Sequence, residues 1–167
     1  MALRLALLLA GVWLGALVAS WAVATVNFRM VDRVLGPSAR PELQQRLAVV
    51  PALERREAFR HLASEINRAL FGTFGLAQLL AGAGLLFLVW GTGGSLRLLA
   101  SLALGLVAVQ IALGIPITSL GRSIDFVPRP LPDEVRHRFG MLHGAFVLLD
   151  LTKAGLLATL AALVARR

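Results

Sequence analysis

The chain contains no cysteine, which excludes disulfides, thiolate metal sites and dithiol redox motifs, and leaves its compartment unmarked by cysteine usage. Charge is scarce: 16% of residues are charged, against about 25% in soluble domains. Lysine is almost missing, Lys153 being the single one among 17 basic residues. No Gly-x-Ser-x-Gly motif occurs, so a serine-nucleophile elbow has no support. The glycine-rich stretch Gly91-Thr92-Gly93-Gly94 lacks a following Gly-Lys-Ser/Thr, so it is not a phosphate loop and suits a tight helical hairpin instead. Of three histidines, only His143 falls within an apolar run, while His61 and His137 lie in a connection or at a helix start. That spacing offers neither a bis-histidine haem site nor a close-spaced metal-ligand set, and no cofactor is expected. Period-two alternation, which a membrane barrel needs, is also missing.

What the chain has in abundance is apolar residue: 57% of 167 residues, with a mean hydropathy of +0.77. These residues fall into runs with spans expected at about 5–27, 69–90, 97–117 and 138–164. About 20 residues at 1.5 Å rise cross a hydrocarbon core of about 30 Å, and lipid leaves backbone groups no partner outside their own segment. The expected fold is therefore all-α, a four-helix transmembrane bundle forming one integral membrane domain over 1–167. A secretory signal competes for the first run, since Arg4 precedes an apolar stretch ending near Trp21-Ala22-Val23-Ala24. The run exceeds the usual signal core of about 7–15 residues, which favours a span.

The connection 28–68 holds Arg29, Arg33, Arg40, Arg46, Arg55, Arg56, Arg60 and Arg68. From Ala52 onward, Leu53, Phe59, Leu62 and Ile66 recur at helical spacing with charges between them, an amphipathic helix between spans 1 and 2. It either lies in the membrane interface or packs on its own bundle. Pro116 should kink or end span three, and Pro128 to Pro132 reads as an extended proline spacer before Asp133 and Glu134 open the last helix. The net charge of +8 beside such spans points to lipid headgroups and not to nucleic acid. The arginine-rich loops 28–68 and 121–138 are expected in the cytoplasm, with both termini outside.

Asp150 and Lys153 lie within the fourth apolar run. An ionisable group at the bilayer centre costs about 2.5–3.5 kcal/mol on insertion scales, so Asp150 should face the bundle interior or a subunit interface. The spacing of three permits an ion pair, and His143, seven residues before Asp150, falls two turns away on the same stripe, about 10 Å along the axis. His143, Asp150 and Lys153, with the span amides Gln78 and Gln110 as partners, form either a polar track for an ion or small solute or a satisfied network that sets helix register. Gly11-x-x-x-Gly15 and Gly140-x-x-x-Gly144 are small-residue motifs for helix packing, within the chain or in a homo-oligomer.

The segment Phe139-Gly-Met-Leu-His143-Gly144-Ala-Phe-Val-Leu-Leu-Asp150-Leu resembles the pattern that closes the transmembrane protein 205-like family of small bacterial and eukaryotic membrane proteins. Leu70-Phe71-Gly-Thr-Phe74 is similar to that family's entry to its second span, and Gly11-x-Trp13-x-Gly15 to its first-span motif. Asp150 stands where the family usually shows an amide. The resemblance implies a four-span fold with a basic first loop and little defined chemistry. Its one lean, toward transport, comes from a eukaryotic member linked to export of platinum drugs. Two functions are expected to compete: a non-enzymatic helper or interaction subunit, in a homo-oligomer or larger membrane complex, and an oligomeric transporter or channel using span 4.

Overall fold

The computed structural model describes residues 1–127 and 129–167. Five helices follow one another: α1 (Ala2–Leu35), α2 (Pro41–Leu47), α3 (Ala52–Val89), α4 (Gly94–Ser123) and α5 (Asp133–Ala165). Helices α1, α3, α4 and α5 are each long and apolar enough to cross a membrane. They form a ring in chain order, α1 beside α3, α3 beside α4, α4 beside α5 and α5 back beside α1. Every neighbour in this ring is antiparallel, and both chain ends therefore lie at the end of the bundle that carries the α3–α4 turn.

The inward seams share one spacing. Ala6, Ala10, Trp13, Leu17 and Ser20 are buried on α1, Gly75, Gln78, Gly82, Leu85 and Val89 on α3, Leu96, Ala100, Ala103, Val107 and Gln110 on α4, and Asp150, Lys153, Leu157, Leu160 and Val164 on α5. Alternating steps of three and four are the seam of helices crossing at a shallow angle. Small residues on these seams let backbones approach. A Cβ added at Gly82 would lie 2.8 Å from Leu104 Cδ1 and 3.2 Å from the Trp13 ring. Outside the seams the surface is apolar: Leu8, Leu80, Phe87, Ile115 and Leu148 are all at least 64% exposed. The middle of the bundle instead buries Gln78, Gln110, Asp150 and Lys153. An apolar exterior wrapped around a partly polar interior suits hydrocarbon as solvent, since water would not tolerate such a continuous greasy surface. The chain is an integral, multi-pass membrane protein.

Two expectations change in detail. The amphipathic stretch 52–68 is helical, but it is the first half of α3 and runs without a break into the span. Nothing between Arg68 and Phe71 stops a helix, since neither proline nor a capping residue intervenes. At 38 residues α3 is about 57 Å long, well beyond the bilayer core, and its first turns form a helical extension with the short α2 beside them in sequence. Pro116 does not end span three: α4 continues through it to Ser123. Pro128 lies outside the described residues, and 129–132 are neither helix nor strand before α5 begins at Asp133.

Candidate functional site

Three helices converge on the charged pair of α5. Lys153 is fully buried and Asp150 nearly so. Lys153 Nζ lies 2.9 Å from Asp150 Oδ1 and donates to Gln110 Oε1 on α4. Gln110 Nε2 donates to the same Asp150 Oδ1 at 2.7 Å and reaches the Phe146 carbonyl at 3.3 Å. Trp21 of α1 donates its indole N–H to Asp150 Oδ2 at 2.9 Å. Both carboxylate oxygens are thus occupied, one by a neutral donor and one by a cation and an amide. Among the described residues no buried side-chain nitrogen or oxygen lacks a partner. A buried ion pair gains from attraction only when further hydrogen bonds support it, and here Trp21 and Gln110 supply them.

The structure sorts the sequence candidates. Asp150, Lys153 and Gln110 come together. Gln78 is also buried, but it accepts from the Trp13 indole at 3.1 Å, a separate bond between α3 and α1. His143 does not join: it is exposed on the outer face of α5, stacked on Phe139 with ring centroids 6.1 Å apart. The reason is helical phase. From Phe139 to Lys153 the inward positions run Phe139, Leu142, Phe146, Leu149 and Lys153, with Asp150 beside Leu149, in alternating steps of three and four. His143 is left one position outside that seam. The expected continuous track is therefore cut at its first member.

The four motif glycines face outward. A Cβ at Gly11, Gly15, Gly140 or Gly144 would meet nothing within 4 Å, so none of them mediates packing inside the chain. Gly82 and Gly75 fill that role in α3. Sequence reading missed them because a GxxxG pattern marks closeness of residues, not the side of the helix they occupy.

A second polar cluster closes the loop end of the bundle, at the border of the apolar runs. Arg68 of α3 forks across to Asp125 beyond α4, Nη1 to Oδ2 at 2.9 Å and Nη2 to Oδ1 at 2.8 Å, and also pairs with Glu65. His61 Nδ1 lies 2.9 Å from Asp125 Oδ2, and because an ionised carboxylate only accepts, the ring N–H donates. Partial burial by itself raises the Asp125 carboxyl, but the hydrogen bonds from Arg68 and His61 outweigh it and hold the group below its usual range. Asn27 of α1 donates to Asn67 of α3 at 2.6 Å. His61, Glu65 and Asp125 place ligand atoms within 4.8 Å of one another, a set of metal-ligand type that spacing could not reveal, since His61 and Asp125 are 64 positions apart. The Arg68 guanidinium is already bonded to both carboxylates, which supplies the positive charge a metal would otherwise bring.

No protein-family model matches the chain, nor does any curated protein or solved structure.

Proposed function

We propose that this protein is a non-enzymatic helper or interaction subunit of a membrane, which binds neighbouring helices through its outer surface. The observation that carries the reading is a contrast between inside and outside. The interior charges are closed by Trp21 and Gln110, whereas Gly11, Gly15 and Ala19 form an exposed small-residue stripe along α1. In lipid, where apolar burial drives little, such a stripe favours close helix approach. Gly140 and Gly144 offer a second open surface on α5. The four-span fold with its basic first connection supports kinship with the transmembrane protein 205-like family.

A transporter or channel is the rival. Its support is the Lys153–Asp150 pair itself, since ionisable residues in spans tend to mark ion paths, but His143 stands outside any such path. In the bilayer, the positive-inside rule supports cytoplasmic loops 28–68 and 121–138 and external termini.

Extraction in mild detergent followed by crosslinking tests the leading reading. A homo-oligomer or fixed-ratio complex is expected, weakened by Gly11→Leu with Gly15→Leu; a lone monomer unaffected by both changes refutes it. For the rival, Asp150→Asn should alter solute flux in proteoliposomes. The chain has no cysteine, so a single Ser38→Cys reports orientation: labelling from the cytoplasmic side alone is expected, and labelling from outside reverses the topology.

A further inference from the structure

At the loop end lies a cavity of about 490 Å³, within the range of small-molecule sites. Its position follows from the ends of the spans. Phe28 closes the apolar run of α1, Arg68 opens that of α3, Gly121 ends that of α4 and Phe139 begins that of α5, and all four line the cavity. It therefore sits where hydrocarbon gives way to headgroups. The lining is in part apolar, with Leu53, Ile124, Leu131 and Phe139. It also carries Arg56, Arg60, Arg68, Arg129 and Arg136 against only Glu57 and Asp125.

Three of these arginines have acidic partners: Arg56 with Asp32, Arg68 with Asp125, and Arg136 with Asp133. Arg60 and Arg129 have no ion pair among the described residues. They come from different segments, α3 and the connection before α5, and both line the cavity. Desolvation first, then Arg60, makes the Arg129 guanidinium hold its proton less firmly than usual, with Asp125 only partly offsetting them. Two guanidiniums that line one cavity without an ion-pair partner among the described residues can together take the oxygens of a phosphate.

We propose that this cavity binds an anionic phospholipid, its phosphate held between Arg60 and Arg129 and its glycerol and upper acyl chain against the apolar lining of Leu131 and Phe139. A phosphate supplies the missing negative charge, and the adjoining bilayer supplies the amphiphile at the right depth. Membrane insertion is presupposed by this site, whereas a role as interaction subunit is not.

The test uses the full chain, purified in mild detergent, stripped of lipid and followed by native mass spectrometry with dioleoylphosphatidylglycerol or dioleoylphosphatidylcholine. Wild type should retain the anionic lipid at least about tenfold more tightly, because phosphatidylcholine presents the same phosphate but adds a choline cation that the two guanidiniums repel. Arg60→Gln with Arg129→Gln should lower that affinity about tenfold or more. Arg40→Gln with Arg46→Gln, which removes equal charge away from the cavity, should leave it intact. Because Arg60 and Arg129 make no ion pair among the described residues, the first double variant should keep its helix content by circular dichroism. Equal loss in both double variants, or no preference in wild type, would assign the effect to diffuse surface charge and overturn the site. Displacement of the lipid by inorganic phosphate at similar concentration would overturn it too, in favour of a small-anion site.

Discussion

Replacing Lys153 with methionine isolates the central charge pair. Methionine fills similar volume with an unbranched apolar chain, so the substitution removes the ammonium while leaving little void. Asp150 then keeps the Trp21 and Gln110 donors but loses the cation paired with it, and Gln110 Oε1 loses its donor. Breaking a buried pair by removing one partner costs about 3–5 kcal/mol. That range equals roughly two to nearly four orders of magnitude in the folded-to-unfolded ratio. Adding Asp150→Leu to Lys153→Met should recover the part of the loss that comes from the unpaired charge, but not all of it, since the Trp21 and Gln110 donors then lose their acceptor. The measurement is a denaturant titration in mixed micelles, read as a double-mutant cycle. A coupling of about 2 kcal/mol or more is expected within contacting networks of this kind. If Lys153→Met costs less than about 1 kcal/mol, or if the double variant is as unstable as the two single losses summed, the pair does not hold the bundle as described.

Two further outcomes follow from particular contacts. Gly82→Val should destabilise by about 1–3 kcal/mol through crowding of Leu104 and the hydrogen-bonded Trp13, whereas Gly11→Val should change the unfolding midpoint of isolated monomer little; equal effects would contradict the assigned helix faces. The Asp125 contribution has a definite sign with pH. A carboxyl held lower in the folded state stabilises fully above its unfolded value of about 3.9 and loses that contribution as pH falls through the lower folded value. Protection from hydrogen exchange, corrected for the intrinsic rate, in 121–127 should therefore hold near about pH 5 and drop as pH falls below about 4, and Asp125→Asn should remove this pH dependence; an unchanged profile in that variant would show that another group is responsible.

Four spans, the helical state of each and the i,i+3 pairing of Asp150 with Lys153 were legible in the sequence, because hydropathy and helical spacing are properties of one segment. Gln110 was also identifiable, as one of only two glutamines within the apolar runs. The partners across helices were not. Trp21 meets Asp150 from 129 positions away, and its polar N–H was hidden within a side chain that composition counts as apolar. His143 lies two turns before Asp150 and still faces outward, because the seam passes through Leu142, Phe146 and Leu149 and leaves His143 beside it. Gly11 and Gly82 are equally small, yet only Gly82 touches another helix.

Composition alone requires each long apolar segment to be a helix, since hydrocarbon leaves the backbone no other donor or acceptor. It also requires that Asp150 not face lipid unpartnered. The tertiary structure alone decided which residues meet, through the rotation and stagger of four helices about a common axis. Those variables arise from packing between segments. That is why Arg60 and Arg129, far apart along the chain, share one cavity only once the bundle has closed.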